Sequence, residues 1–291
     1  MNADDFAYLA QTLKERSGLT VTIDKTYLFE ARLMPIARRM EIASLDRLIS
    51  VMRQGRDETL IAAVVDAMTT NETSFFRDRH PFEAMRSAIL PGLIQRRLAR
   101  RHLRIWSAAC STGQEAYSLA MLLLDDFPML SGWRIEIIGT DISPSVVSRA
   151  KEGIYSTFEV QRGLPIQLLV RHFDQTGPQW CIKPRLRQMV DFRLFNLLGD
   201  LSALGQFDIV LCRNVLIYFD LPTKTRVLEA IHRRMASDGN LILGGAESVF
   251  GICNRFTDVA GLRGVYASAP SHTRQPGVDN MRAPLLARTT S

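Results

Sequence analysis

Apolar positions in the first part of the chain recur at the spacing of one face of a helix. Residues 26–40 continue the pattern, and Pro35 within them predicts an end or a bend. The pattern therefore predicts a small helical bundle over residues 1–70. The apolar faces are Phe6, Leu9, Ala10 and Leu13; Leu45, Leu48, Ile49 and Met52; and Leu60, Ala63, Val64, Ala67 and Met68.

Further along, short apolar strands alternate with helical patterns. The helix that follows Asp220 carries Val227, Leu228, Ile231 and Met235 on one side. Strands that alternate with helices indicate an α/β fold with a mostly parallel, doubly wound sheet, which a hairpin within residues 256–269 closes. The predicted strands are 103–108, 134–141, 190–197, 207–219 with an apolar loop at its end, and 241–244.

Breaks in these patterns predict the domain boundaries. Residues 71–80 form a linker whose paired Phe75 and Phe76 we expect to anchor it on the larger domain, 81–269. Within that domain, residues from about 155 to 189 fit the sheet period poorly and predict a small inserted β-subdomain. Residues 270–291 are rich in Pro, Ser, Thr and Arg, so we expect a disordered tail.

Composition narrows the compartment and the kind of partner. A formal net charge of +6 over 291 residues favours acidic partners without singling out nucleic acid. The four cysteines form no C-x-x-C pair, the start shows no signal segment, and no apolar run approaches membrane-spanning length. We therefore expect a reduced, cytoplasmic protein without membrane insertion. The five histidines show no ligand spacing, so we expect no metal site.

Small and polar residues stand at the carboxyl ends of the predicted strands, where ligands bind in open parallel sheets. Gly113 lies in the turn after the first strand, and we expect its missing Cβ to let the backbone approach a ligand. Ser111 or Thr112 is expected to cap the following helix. Asp141 ends the second strand, where an acid commonly holds ribose hydroxyls; the alternative is that it only helps to cap the next helix.

The remaining strand ends favour one cofactor class. The turn after the first strand lacks both a full G-x-G-x-x-G and a G-K-[ST], so neither a dinucleotide nor a triphosphate is expected. Asn196 and Asn214 follow two further strands. A small-residue turn, an acid for a ribose and two amides indicate S-adenosylmethionine rather than a nicotinamide, an arrangement that fits class I methyltransferases.

Four motifs stand in order along the chain: TNETSFFR at 70–77, SAACSTG at 107–113, TDIS at 140–143 and CRNVLIYFD at 212–220. Together they closely resemble the motifs of the CheR family, the chemotaxis receptor glutamate methyltransferases, over residues 1 to about 268. The resemblance implies a Rossmann-like class I methyltransferase domain with an all-α N-terminal domain and a small inserted β-subdomain. It also implies methyl transfer from S-adenosylmethionine to receptor glutamates, with S-adenosylhomocysteine as the product.

At matching positions the resemblance implies a cofactor site and a reaction site. Arg77 and Tyr218 would face the reacting methyl group as the catalytic residues. Leu197 and Val215 would contribute mainly backbone groups, and for every site residue the alternative is ordinary capping or packing. The implied cofactor contacts are Asn71, Thr73 and Arg77 from the linker, Gly113 in the turn, Glu115 at the methionyl end, Asp141 at the ribose, Asn196 and Leu197 at the adenine, and Asn214 and Val215 beside it.

Charge in the N-terminal helices suggests where a receptor would dock. Basic residues exceed acids between residues 25 and 56, although a solvated helix face is the alternative. With the resemblance, we expect the acidic methylation helices of chemoreceptors to bind there, and we expect a monomer that binds no nucleic acid. The inserted subdomain looks short, so the receptor C-terminal peptide tether of some family members is predicted to be absent. The candidate docking residues are Arg32, Arg38, Arg39 and Arg53.

Departures from the family pattern leave two alternative functions open. Gln114 stands where the family commonly has Glu, Ala116 where it commonly has Pro, and Gly245-Ala246 replaces His-Ser. One alternative is a non-catalytic S-adenosylmethionine-binding scaffold in signalling. The other is a methyltransferase for another acceptor, such as a nucleic-acid amine, although the prolines that such enzymes carry after the equivalent Asn are missing here.

Overall fold

The computed structural model describes residues 1–55 and 57–269, so the predicted tail at 270–291 lies outside them. The N-terminal part is a helical bundle with an apolar interior, in which Leu9, Phe29 and Leu48 have no solvent exposure. Pro35 lies inside the second helix and does not end it. The four helices are α1 (Ala3–Ser17), α2 (Thr26–Arg39), α3 (Leu45–Gly55) and α4 (Glu58–Met68).

A linker and a further helical stretch lead into the sheet. The stretch contains α5 (His80–Ala84), a π-helical turn at Met85–Ile89 and α6 (Leu90–Arg97). It ends at Arg97. The apolar side chains of this stretch are buried in the core of the larger domain.

The larger domain alternates strands and helices along the chain. The elements up to the third core strand are β1 (His102–Ala108), α7 (Gln114–Asp126), β2 (Arg134–Asp141), α8 (Pro144–Glu152), β3 (Ile154–Ser156), α9 (Thr157–Gln161), α10 (Ile166–His172), β4 (Phe173–Thr176), β5 (Gln179–Ile182), α11 (Pro184–Arg187) and β6 (Val190–Leu194). The remaining elements are β7 (Phe207–Cys212), α12 (Leu221–His232), β8 (Met235–Leu243), β9 (Phe256–Asp258) and β10 (Val265–Ser268).

Seven strands form one sheet in the order β6-β2-β1-β7-β8-β10-β9. The pairs β1–β2, β1–β7, β2–β6 and β7–β8 are parallel, whereas β10 runs antiparallel to β8 and β9. Two apolar clusters fill its faces, one around α7 and one around α12. This confirms the predicted α/β fold with a mostly parallel sheet and a closing hairpin.

The predicted insertion is also present as a small β-subdomain. Strands β3, β5 and β4 form a separate antiparallel sheet in that order, with α9 and α10 between its first two strands in sequence. Phe75 of the linker packs edge-on against Tyr155 and Phe173 of this subdomain. The linker is therefore anchored partly by the insertion.

Two local predictions were wrong. Met235 belongs to β8 rather than to the helix after Asp220, because α12 ends at His232. Neither Ser111 nor Thr112 caps α7: its N-cap is Gly113, which makes no side-chain capping bond. The Ser111 hydroxyl donates instead to the Asn71 carbonyl, and the Thr112 hydroxyl to the Gln114 side chain.

Candidate active site

A cavity lies at the carboxyl ends of β1, β2, β6 and β7, bordered also by the linker and by the segment after α1. The space within it is about 880 Å³, including the open space at its mouth. Ten of the eleven predicted site residues border it: Asn71, Thr73, Arg77, Glu115, Asp141, Asn196, Leu197, Asn214, Val215 and Tyr218.

Gly113 is the predicted residue that does not border the cavity. It is in the left-handed region with φ 94°, and a Cβ there would lie 3.0 Å from the Cβ of Ala150 and 3.0 Å from the ring of Phe192. The missing Cβ therefore lets α7 begin close to α8 and β6. The structure thus gives the missing Cβ a packing role, and contact of the Gly113 backbone with a ligand stays a prediction.

Asp141 ties together the turns that follow β1 and β2. One carboxylate oxygen accepts the Ser111 N–H at 2.8 Å, and the other accepts the Ser143 N–H at 3.0 Å. Ser143, not Asp141, provides the side-chain cap of α8. Burial raises the pKa of Asp141 above its ordinary value, although these backbone N–H groups oppose the shift. Each oxygen keeps a lone pair for a further donor.

Glu115 lies in a second buried polar cluster at the start of α7. Its carboxylate accepts the Ser107 hydroxyl at 2.7 Å and Nη1 of Arg213 at 2.7 Å. The Arg213 side chain is only 2% exposed, and its Nη2 also donates to Asp78 at 2.8 Å. The cavity thus has a fixed carboxylate at the start of α7 as well as at the end of β2.

The linker forms one wall of the cavity. The Asn71 carbonyl accepts the Ser111 hydroxyl at 2.7 Å, and Nη1 of Arg77 donates to the Glu72 carbonyl at 2.8 Å. The Glu72 side chain accepts a short hydrogen bond from Arg162 of the insertion, which lowers the pKa of Glu72. The linker is therefore held to both the sheet and the insertion.

Backbone strain is concentrated around this cavity. The described residues contain eight non-glycine residues with positive φ. Ala109, Ser111 and Asn214 border the cavity, and a further three, at 76, 78 and 79, flank Arg77. Such conformations persist only where surrounding contacts enforce them, and they cluster at functional sites.

Glu247 holds the loop after β7 that carries Asn214, Val215 and Tyr218. Its carboxylate accepts the N–H groups of Asn214 at 2.7 Å, Val215 at 2.9 Å and Gly244 at 2.9 Å. Sequence reasoning missed this role, because it treated the 244–247 loop only as a departure from the family pattern. The available signal was an acid three residues after a glycine at the end of a core strand.

The end of α1 covers the wall of the cavity that Asn196 and Tyr218 form. The Asn196 amide donates to the Arg16 carbonyl at 2.7 Å, and the Thr20 N–H donates to the Tyr218 carbonyl at 2.9 Å. Ser17 and Leu19 also border the cavity, which the sequence did not indicate. The helical bundle thus completes the site.

The four candidate docking arginines have different surroundings. Arg38 and Arg39 are exposed at the end of α2. Nη1 of Arg32 donates to the Met68 and Thr69 carbonyls at 2.8 and 2.9 Å, at the start of the linker. Arg53 donates to the Asp4 carbonyl and pairs with Asp5. Arg32 and Arg53 therefore have structural contacts within the bundle and at the start of the linker. The sequence did not indicate these contacts.

The residues around the cavity fit S-adenosylmethionine. Ile142, Phe195, Leu197 and Val215 provide apolar surface suited to a base, and the buried Asp141 carboxylate is an acceptor suited to ribose hydroxyls. Among residues 1–55 and 57–269 no cluster of His, Cys, Asp and Glu could hold a metal ion. In the same residues no helix is long and apolar enough to cross a membrane.

Family models match both the helical bundle and the larger domain. The family model described as CheR methyltransferase, all-alpha domain, matches residues 4–69, and the model described as CheR methyltransferase, SAM binding domain, matches residues 71–265. Chemotaxis protein methyltransferase 1 of Pseudomonas aeruginosa is 42% identical over 250 residues, covering 84% of this chain and 90% of that protein. Chemotaxis protein methyltransferase Cher2 of Pseudomonas putida is 38% identical over 270 residues, covering 91% and 98%.

Proposed function

The chain belongs to the CheR methyltransferase family, and on that premise we propose that it transfers the methyl group of S-adenosylmethionine to glutamate side chains of chemoreceptors, forming glutamate methyl esters. The observation that carries the proposal is the composition of the cavity. Buried carboxylates lie at the end of β2 and at the start of α7, and Arg77 and Tyr218 border the same space, with no histidine or lysine among its lining residues. That set suits a nucleophile that is already ionised.

The proposed cofactor contacts follow the geometry of the cavity wall. Asp141 accepts the ribose hydroxyls with its free lone pairs, and Glu115 faces the cationic methionyl amine. The other proposed contacts are Asn71, Thr73 and Arg77 from the linker, Asn196 and Leu197 around the adenine, and Asn214 and Val215 beside it. When bound, S-adenosylmethionine supplies an electrophilic methyl group on a sulfonium.

The chain's own residues then need only bind the cofactor, orient the acceptor carboxylate and exclude water. A glutamate with a pKa near about 4.3 is ionised at neutral pH, so no general base is required. Arg77 orients the acceptor carboxylate, and Tyr218 shapes the space around the methyl group. Alignment and exclusion of water provide the rate enhancement. The α1 segment that bonds to Asn196 and Tyr218 keeps water from that side of the cavity.

We propose the exposed arginines Arg38 and Arg39 as the main docking residues for the acidic, cytoplasmic methylation helices of a receptor. Arg32 and Arg53 then support docking indirectly, by holding the bundle and the start of the linker. The enzyme acts as a cytoplasmic monomer, without a receptor-peptide tether.

Peptide mass spectrometry tests the acceptor. Receptor-containing membranes from the host are incubated with the purified protein and S-adenosylmethionine, and the receptor is digested at mildly acidic pH to preserve esters. We expect one added methyl group on specific glutamates, and much less addition with Arg77→Ala. Methylation of lysine or of nucleic acid would contradict the proposed acceptor, and cofactor binding without any methylated product would favour a signalling scaffold.

A further inference from the structure

The segment around Arg77 is a strained turn held from both sides. Phe76, Asp78 and Arg79 have φ values of 49°, 66° and 47°, so three residues within four occupy the left-handed region that side chains disfavour. Arg77 itself is not among the positive-φ residues. A turn with this conformation keeps its shape only if contacts outside it fix it.

The upstream side is held by the sheet and the insertion. The Phe76 N–H donates to the Ser118 hydroxyl of α7 at 3.0 Å. Gly163 packs so closely on the Phe75 carbonyl oxygen that an added Cβ would lie 2.1 Å from it. The backbone is therefore fixed immediately before Arg77.

The downstream side is held by one buried guanidinium. Nη2 of Arg213 donates to the Arg77 carbonyl at 2.9 Å and to the Asp78 carboxylate at 2.8 Å. The same guanidinium donates to Glu115 through Nη1, and the Ser107 hydroxyl fixes Glu115 in turn. Arg213 follows β7, and its partners Ser107 and Glu115 lie on β1 and α7. The guanidinium that bonds to the turn is therefore fixed by the core of the domain.

We infer that Arg213 and Asp78 are positioning residues that set the place of the Arg77 side chain at the cavity. The inference rests on the proposed function, because it gives Arg77 its role toward the acceptor carboxylate. A guanidinium that is 2% exposed needs acid partners on both sides, and Asp78 is the partner that belongs to the linker. Pairing of Arg213 with Asp78 thus couples the core to the turn that carries Arg77.

Asp78→Asn is the most informative variant, because Asp78 is half exposed and does not border the cavity. Asp191→Asn is the matched control: Asp191 is also exposed and paired with an arginine, Arg193, on the edge strand β6. We expect Asp78→Asn to lower kcat about tenfold, by displacing Arg77, while the Kd for S-adenosylhomocysteine changes by less than about twofold. Asp191→Asn should leave both values unchanged.

The double variant separates positioning from general destabilisation. In an Arg77→Ala background, Asp78→Asn should lower kcat no further, since the side chain that it positions is gone. Arg213→Lys keeps a positive charge, but it has one nitrogen in place of the two that reach Glu115 and the linker separately, so it should reproduce the Asp78→Asn loss or exceed it. A kcat for Asp78→Asn equal to that of the unaltered protein, or losses that multiply in the double variant, would overturn the inference.

Hydrogen–deuterium exchange of the full chain provides a readout that does not depend on turnover. Asp78→Asn should accelerate amide exchange in peptides covering residues 75–80 and leave peptides covering β1 unchanged. If the unaltered protein methylates no receptor, the proposed function fails, and this exchange still decides whether Arg213 and Asp78 hold the turn. Unchanged exchange at 75–80 would overturn the inference in either case.

Discussion

The Asp141 carboxylate has a structural role and a proposed role in cofactor binding. It accepts backbone N–H groups from the turns after β1 and β2, at Ser111 and Ser143, and it also borders the cavity. Burial raises its pKa, so its charge is less stable than that of an exposed acid and depends on these donors. Asn has nearly the same shape without the charge, so Asp141→Asn can distinguish the structural role from the role in binding.

Asp141→Asn should weaken binding of S-adenosylhomocysteine about 10- to 100-fold, because the amide loses an acceptor for a ribose hydroxyl. The carboxylate form binds, so affinity in the unaltered protein should fall as the pH falls through the raised pKa of Asp141. Calorimetric titration at several pH values measures both effects. The variant should lose this acid dependence, and an unchanged Kd would contradict the assignment of Asp141 to the ribose.

At the scale of elements, the site depends on how the insertion and the bundle contact the linker and the strand ends. The turn between α9 and α10 packs on the linker through Gly163, and the end of α1 packs on the loop after β7. Neither element belongs to the sheet. Changes in them should therefore alter the site without removing any residue that borders it.

Gly163→Ala should destabilise the fold by about 2 to 3 kcal/mol, because its φ is 91° and the new Cβ would meet the Phe75 carbonyl oxygen. Gly177→Ala is the matched control, since Gly177 also has a positive φ, 59°, but has nothing within 4 Å of the added Cβ. It should cost only about 1 kcal/mol. Urea denaturation compares the two variants, and equal losses would show that the contact with Phe75 does not matter.

Asp220 links the start of α12 to α1. It caps α12 by accepting the Thr223 N–H, and its bond with Lys14 of α1 lowers its pKa to about 2. The pKa of the folded state is below that of the unfolded chain, about 3.9, so the charged form favours folding. This contribution should be complete above about pH 5 and should be lost as the pH falls toward 2.

Two variants distinguish the helix cap at Asp220 from its ion pair with Lys14. Asp220→Ala should cost about 1.5 kcal/mol at pH 7, because it loses the cap, about 1 kcal/mol, and the partly exposed ion pair, about 0.5 kcal/mol. Asp220→Asn keeps an equivalent cap and loses only a partly exposed ion pair, about 0.5 kcal/mol. Denaturant midpoints measured between pH 7 and pH 2.5 should fall less steeply for both variants than for the unaltered protein. Parallel pH profiles would contradict the role of the Lys14 pair.

The sequence predicted repeated patterns better than single contacts. Helical spacing in the bundle and alternation in the sheet recur over many residues, so individual exceptions such as Met235 did not alter the predicted fold. The motifs likewise indicated ten residues that the fold brings to one cavity. The contacts of Gly113, Glu247 and Arg213 could not be predicted, because their partners are distant in sequence: Phe192, the loop after β7, and the linker.

Across the whole molecule, the exposed arginines at the end of α2 do not border the cofactor cavity. Arg38 and Arg39 are exposed at the end of α2, whereas many other arginines are paired with acids, as Arg97 is with Asp208 and Asp238. Charges at the edge of an interface mainly affect the association rate and its dependence on salt. The two exposed arginines are therefore expected to affect recognition of the receptor and not the chemical step.

Arg39→Ala should raise the KM for receptor about two- to fivefold at low salt, with kcat unchanged and with less dependence of KM on salt. Arg134→Ala is the control, because Arg134 is 74% exposed at the amino end of β2, away from the cavity mouth. It should leave KM unchanged. Initial rates over a range of receptor concentrations test both variants, and equal effects would argue against a docking role for the end of α2.

The most direct test of the account is the chemical form of the transferred methyl group. Receptor membranes are labelled with methyl-labelled S-adenosylmethionine and the purified protein, treated with alkali, and volatile label is collected, with Asp141→Asn and Arg77→Ala run in parallel. We predict that alkali releases the label as methanol, the product of a carboxyl methyl ester, and that both variants yield much less. Label that stays on the receptor after alkali would contradict the central claim that this site esterifies glutamate.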